Sequence, residues 1–151
     1  MGSFELGTDG PGAIVVGIDG SPTSLRAAAY AAGLARRQHT KLIAVYARTA
    51  PAALLVLADH SGMATNAVLE TQDELEASLR AELTRQAEEW GVDARLVARQ
   101  GDPLSVLAEV AKETRADALI VGSSASVGHR IAGSLAIRLV RCGRWPVTVV
   151  P

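Results

Sequence analysis

Cysteine is almost absent from this sequence: Cys142 stands alone. One thiol excludes an intrachain disulfide and any zinc site built from several thiolates. His39 and His60 are isolated, with no carboxylate or second histidine at ligand spacing, so no metal site is read. Aromatic residues make up 3% of the chain, and the core must therefore be built from Ala, Val, Leu and Ile. Charge of either sign is not in excess: the net value is −1, which draws the chain neither to nucleic acid nor to an anionic membrane surface. No apolar run approaches the ~18 residues of a membrane span. The first residues lack the basic stretch and apolar run of a secretory signal. Together these absences predict a cytoplasmic protein with no membrane or nucleic-acid partner.

What is present suits one globular domain. The chain has 151 residues, 48% hydrophobic and 21% charged, enough to bury a real core. Residues 1–12, rich in Gly with Asp and Pro, read as a flexible leader, and 13–151 as the domain.

Five apolar runs alternate with helical patterns. Ala13 to Asp19 is a continuous β-branched run suited to a strand covered on both faces. Ser21-Pro22 follows as N-cap and first helical residue, opening a helix whose apolar face is read as Leu25, Ala28, Ala29, Ala32 and Ala35. Arg36, Arg37 and His39 suit the negative end of its dipole. Lys41 to Ala47 is a second strand. Arg48 to Asn66 reads as a long loop with a helical turn, and a helix runs from about Leu69 to Trp90 with Leu75, Leu79, Leu83 and Ala87 at steps of four. Asp93 to Arg99 alternates as a half-covered or edge strand does. Asp102-Pro103 opens a third helix with Leu104, Leu107, Ala108 and Ala111 as its stripe. Asp117 to Gly122 is a buried strand, a Gly/Ser-rich loop leads to a helix from about Ser134 to Cys142, and Trp145 to Val150 is the last strand. The order predicts a doubly wound parallel sheet.

In an open parallel sheet, ligands sit beyond the carboxyl ends of the strands where the strand order reverses. Asp19-Gly20-Ser21 and the loop Gly122 to Ser134 both qualify. Small residues let backbone N–H groups approach an anion, and a helix start adds a favourable dipole. The same loops also form plain connections, so the residues alone leave both readings open. Asp19 can equally cap its turn, Ser134 its helix, and His129 and Arg130 read as solvated loop residues. Cys142, near a helix end, reads as a small core residue, and Trp90 and Trp145 as packing residues.

Four segments in register carry a resemblance: Ile14-Val15-Val16-Gly17-Ile18-Asp19-Gly20-Ser21, Gly101-Asp102-Pro103, Asp117-Ala118-Leu119-Ile120-Val121-Gly122 and Pro146-Val147-Thr148-Val149-Val150. In order and spacing the chain resembles the universal stress protein family over nearly everything after residue 12. The resemblance implies an adenine-nucleotide α-hydrolase-like fold with strand order 3-2-1-4-5. It implies an adenine nucleotide (ATP or AMP-type) as ligand: Asp19 on the ribose, the backbone of Ala47 on adenine, and Gly122, Ala125, Gly133 and Ser134 around the phosphates. ATP-binding members carry G-x2-G-x9-G-[ST] after strand four. Here Ala125 stands at the second glycine and only seven residues separate it from Gly133-Ser134. The resemblance further implies a homodimer through the C-terminal strand, a stress-response role exerted through an unidentified protein partner, and no catalysis.

Two enzyme-like or signalling alternatives fit less well. An ATP pyrophosphatase relative would carry S-G-G-x-D-S after strand one, where this chain has Gly17-Ile18-Asp19-Gly20-Ser21. A phosphorylated receiver needs an acidic pair there and a Lys before the final Pro, whereas Asp19 stands alone and Trp145 precedes Pro146. A nucleotide-free dimeric member of the same family remains the nearer alternative.

Overall fold

Runs of Val, Ile, Leu and Ala leave no polar side to face water, so they pair as strands and are covered from both sides. The computed structural model describes residues 12–49, 63–123 and 134–151. Its elements are β1 (Ala13–Gly17), α1 (Pro22–Gln38), β2 (Lys41–Arg48), α2 (Met63–Trp90), β3 (Ala94–Gln100), α3 (Pro103–Glu113), β4 (Ala116–Gly122), α4 (Ser134–Cys142) and β5 (Val147–Val150). They form one five-stranded sheet in the order β3-β2-β1-β4-β5, with every pairing parallel. The expected architecture is thus observed, and β3 and β5 are its two edges.

Side chains alternate across the sheet and build two cores. Ile14, Val16, Leu42, Ala44, Tyr46 and Ile120 face α1 and α2, whereas Val15, Ile43, Val45, Leu119 and Val121 face α3 and α4. Burying a side chain such as Leu107 or Leu139 from water contributes about 1.5–3 kcal/mol, and both are fully enclosed. α1 meets the sheet through alanines. Ala27, Ala31 and Ala35 are completely buried, with Thr23 and Ser24 at the helix start.

That face includes Ala32 and Ala35 of the expected one, with Ala28 half-buried beside them, and corrects the rest. Leu25 is 47% exposed and Ala29 also faces outward, so the stripe is turned toward Ser24, Ala27 and Ala31. Because only small side chains fit between helix and sheet, the larger Leu25 is the one excluded. In α3 the buried stripe is Val106, Leu107, Val110 and Ala111, while Leu104 and Ala108 are half-buried. α2 begins at Met63, well before Leu69. Arg48 belongs to β2 and Met63 to Asn66 to α2, and residues 50–62 of the expected loop lie outside the described residues. Its Leu79 is buried, with Leu75 and Leu83 packed beside it. β5 starts at Val147, after Trp145 and Pro146.

The helix ends follow their sequence signals. Ser21 Oγ accepts from Ser24 N–H and Asp102 from Ser105 N–H, each followed by proline at the first helical position. His39 closes α1 in the left-handed region, with φ 54°. Cys142 is exposed rather than buried, its thiol donating to the Leu139 carbonyl. α4 enters the core through Ala136 and Leu139 and stops at Cys142, where the chain turns at Gly143. Trp145 packs on the second core. Trp90, at 36% exposure, only edges an apolar recess with Ala28, Leu83 and Ala87. Gly12, the last residue of the expected leader, donates its N–H to Asp117 Oδ2, and its carbonyl accepts from Thr40 Oγ1. Residues 1–11 and His60 lie outside the described residues. No described helix is long and apolar enough to cross a membrane.

Candidate functional site

β1 lies between β2 and β4, so the chain order reverses at the β1–β4 pair. Parallel strands deliver their C-terminal ends to one rim. The β1–β4 pairing ends at Val16↔Ile120, so Asp19 and Ser123 each follow the paired ends of these strands by three residues. Asp19-Gly20-Ser21 runs from this rim into α1 on one face of the sheet, and α4 lies on the other face.

The first connection is a tightly bonded turn. Asp19 Oδ1 accepts from Ser21 N–H at 2.9 Å, and Asp19 N–H donates to Ser24 Oγ at 3.2 Å. Ser24 Oγ in turn donates to the Ser21 carbonyl. Gly20 supplies the φ of 84° that the turn requires. Partial burial raises the Asp19 pKa, but hydrogen bonds from Ser21 and Ser24 outweigh it and hold the carboxyl below its ordinary value. Asp19 is exposed and ionised at neutral pH. It is a fixed anionic acceptor facing solvent.

Gly122 belongs to both connections. A Cβ there would lie 2.6 Å from the Thr23 carbonyl carbon and 2.9 Å from Ser24 N. Only glycine lets β4 pass so close to the first turn of α1. The next residue, Ser123, donates its N–H to the Val150 carbonyl at 2.8 Å. Sequence reasoning identified Gly122 but missed Thr23, Ser24 and Ser123, whose roles arise only when distant segments meet.

Ala47 lies two residues beyond Val45, which pairs with Gly17. The Val45 carbonyl accepts from Ile18 N–H. Backbone groups alternate in direction along a strand, so Ala47 also points its N–H and C=O toward the β1 side, past the point where β1 has ended. The Arg48 carbonyl points the other way and accepts from Gly101 N–H, consistent with that alternation. Ala47 therefore presents one donor and one acceptor to the space beside Asp19.

Charged and aromatic groups line the flank nearest α2. Arg48 pairs with Asp73 at 2.6 Å and Glu76 at 3.2 Å, and Gln72 donates to the Thr49 carbonyl. Tyr46 is buried, which raises its pKa; Arg48 opposes the shift, and Glu76 and Asp19 add to it. On the opposite flank, Arg138 of α4 reaches both oxygens of Asp102, the α3 cap. Arg48 and Arg138 are thus committed to carboxylates.

The structure brings Asp19, Ala47 and Gly122 to one rim and places Ser134 at the start of α4. Ala125 and Gly133, with Gly128, His129 and Arg130, lie outside the described residues. No group of His, Cys, Asp and Glu suited to a metal occurs among the described residues. A hollow of about 650 Å³ bordered by Arg36, His39, Lys41 and Asp93 opens at the opposite rim. Open parallel sheets bind ligands at the carboxyl ends, so the strand C-termini remain the candidate site.

The comparisons with known proteins agree with this topology. The model of the universal stress protein family matches residues 12–151. A universal stress protein of Methanocaldococcus jannaschii is 29% identical over 139 residues, covering 91% of this chain and 80% of that protein. A crystal structure of a universal stress protein family member from Burkholderia pseudomallei superposes with a TM-score of 0.72 at 26% identity, covering 93% of this chain and 96% of the other. A universal stress protein in complex with cAMP superposes with a TM-score of 0.65 at 29% identity, covering 93% and 97%. The chain belongs to the universal stress protein family.

Proposed function

We propose that this protein is a regulatory, non-enzymatic module that binds an adenine nucleotide at the β1–β4 switch point and works as a homodimer. The observation that carries the reading is the Ala47 backbone, whose donor and acceptor point past the end of β1 beside the ionised Asp19. A purine edge offers a complementary acceptor and amino donor, and a ribose diol offers hydroxyl donors to a carboxylate. The 29%-identical universal stress protein in complex with cAMP supports the same ligand class.

The phosphate end is reduced relative to the ATP pattern. Two fewer residues lie between Ala125 and Gly133, and Ala125 replaces a glycine, so fewer backbone N–H groups are available to a polyphosphate. Base and ribose contacts keep their residues. We therefore read the ligand as AMP-type, a mononucleotide or cyclic nucleotide, in preference to ATP, with Gly122, Gly133 and Ser134 on its phosphate. Calorimetry with AMP, cyclic AMP and ATP tests this. AMP-type ligands should bind more tightly than ATP, and Asp19→Ala should weaken them by about tenfold or more, the value of a hydrogen bond to a charged group. Acid extraction should release co-purified adenine nucleotide. No heat with any of the three would leave the nucleotide-free family reading.

The dimer reading rests on the free edge of β5. Leu119 and Ser123 donate inward to the carbonyls of Pro146 and Val150, so the even residues of β5 face β4. Val147 and Val149 therefore direct their N–H and C=O outward. A two-fold axis at Thr148 would pair Val147 of one copy with Val149 of the other, giving antiparallel strands and an isologous contact.

A further inference from the structure

Tyr46 immediately precedes Ala47 on β2 and is only 6% exposed, in the core cluster that holds Ile18 and Leu79. It follows Val45, the last β2 residue paired with β1, by one position, and so stands at the carboxyl rim. On this face of the sheet α2 meets the β1–α1 turn. A Cβ at Gly20 would lie 3.0 Å from Leu75 Cδ1, and Leu75 packs on the same cluster as Tyr46.

The hydroxyl is not explained by this packing. It makes no hydrogen bond among the described residues, yet no enclosed side-chain oxygen or nitrogen among them lacks a partner. Tyr46 therefore buries its ring and brings its oxygen to a surface that water reaches. Buried tyrosines usually bond their O–H, and a phenylalanine would fill the same core space. The surrounding charges identify the surface. Burial raises the Tyr46 pKa, Arg48 lowers it, and Glu76 and Asp19 raise it further. All three charges stand at the carboxyl rim, and Asp19 is the carboxylate read above as the ribose acceptor. The hydroxyl is protonated at neutral pH and can both donate and accept. Glu76 is already engaged by Arg48 and Arg80.

We propose that Tyr46 is a specificity-determining residue of the nucleotide crevice, its hydroxyl bonding the ribose 2′-hydroxyl, so that ribonucleotides bind in preference to 2′-deoxyribonucleotides. The inference rests on the adenine-nucleotide reading above. C2′ is bonded to C1′, the carbon that bears the base, so the 2′-hydroxyl is the member of the diol nearer the base. The base is assigned to the Ala47 backbone, and Tyr46 is its neighbour on the same strand. The 3′-hydroxyl, one carbon further from the base, falls to Asp19 on the adjacent strand end. Neither contact depends on the phosphate.

Other features reach less far. The hollow near Arg36 and Lys41 faces the C-terminal ends of α1 and α2, which disfavour an anion. Arg48 and Arg138 are already neutralised by carboxylates.

Calorimetry of the full chain and of Tyr46→Phe with AMP, 2′-deoxy-AMP and 3′-deoxy-AMP tests the contact. The unmodified chain should bind AMP about three- to tenfold more tightly than 2′-deoxy-AMP, the range of one neutral hydrogen bond. Tyr46→Phe should lose that factor for AMP, bind 2′-deoxy-AMP as the unmodified chain does, and keep the same penalty for 3′-deoxy-AMP. Its urea midpoint without ligand should be unchanged, since the hydroxyl has no partner among the described residues. An unmodified chain that binds AMP and 2′-deoxy-AMP alike overturns the proposal. So does a Tyr46→Phe variant that weakens both equally, or one that weakens neither. A lowered urea midpoint would give the hydroxyl a partner inside the protein and overturn it as well. No heat from the unmodified chain with any of the three removes the nucleotide reading itself, and the Tyr46 contact with it.

Discussion

At the scale of single residues, Gly122 and Asp19 carry different risks in any test of the site. Gly122→Ala would push a methyl group against the Thr23 carbonyl, which is backbone and cannot swing aside. Overpacking of this kind costs about 1–3 kcal/mol. Urea unfolding should show that loss with no ligand present; an unchanged midpoint would mean that α1 can shift freely. Failure of Gly122→Ala to bind nucleotide is therefore a folding result first. Asp19 is the cleaner probe. Its depressed pKa means that the folded state favours the carboxylate, so the contribution is complete above the unfolded value near ~3.9 and fades as pH falls through the folded value. The stability gap between the protein and Asp19→Asn should thus be open at pH 7 and close in strong acid. A gap that widens on acidification would contradict the bonding seen around Ser21. The sequence displayed both residues, but the reason for Gly122 lies in Thr23, which no local pattern connects to it.

Single elements were legible to different depths. The strands stood out because buried parallel strands are unbroken apolar runs, and β3 stood out as an edge because Ala94–Gln100 alternates. The caps at Ser21 and Asp102 were readable because a short polar side chain followed by proline has few other uses. The facing of α1 was read in part: Ala32 and Ala35 are buried and Ala28 packs on the core, but Leu25 and Ala29 face outward. In a helix with alanine at Ala27, Ala28, Ala29, Ala31, Ala32 and Ala35, hydrophobicity hardly distinguishes one side from another, and Leu25 pulled the assignment toward itself. Space decides instead, since helix and sheet approach closely along Ala27, Ala31 and Ala35. Ala27→Leu should accordingly destabilise the fold by about 1–3 kcal/mol. Leu25→Gln should change it by no more than about 0.5 kcal/mol, as exposed substitutions do. Thermal unfolding of the two variants separates the faces, and a reversed order would restore the Leu25 stripe.

At the scale of the whole molecule, the topology was legible because strand and helix patterns alternate along the entire chain, and the switch point follows from strand order. The links Ser123 to Val150 and Arg26 to Pro151 were not, since each depends on which backbone groups of β5 turn inward. That same alternation defines the assembly prediction. Val149 N–H points away from β4, so proline at this position removes no bond within the protomer, and edge strands tolerate proline in that orientation. Toward a second copy the loss is direct. With the axis at Thr148, Val149 N–H donates to the partner strand, and the symmetric copy loses the equivalent bond. Val149→Pro should therefore fold, with a cooperative melt, yet remain monomeric at tens of micromolar by light scattering. Val149→Ala, which keeps the N–H, should still dimerise, because the ladder depends on backbone groups more than on the side chain. A monomeric wild-type chain, or a Val149→Pro dimer of undiminished strength, would move the contact away from β5 and leave Val147 and Val149 as an exposed edge protected by the prolines on either side of the strand.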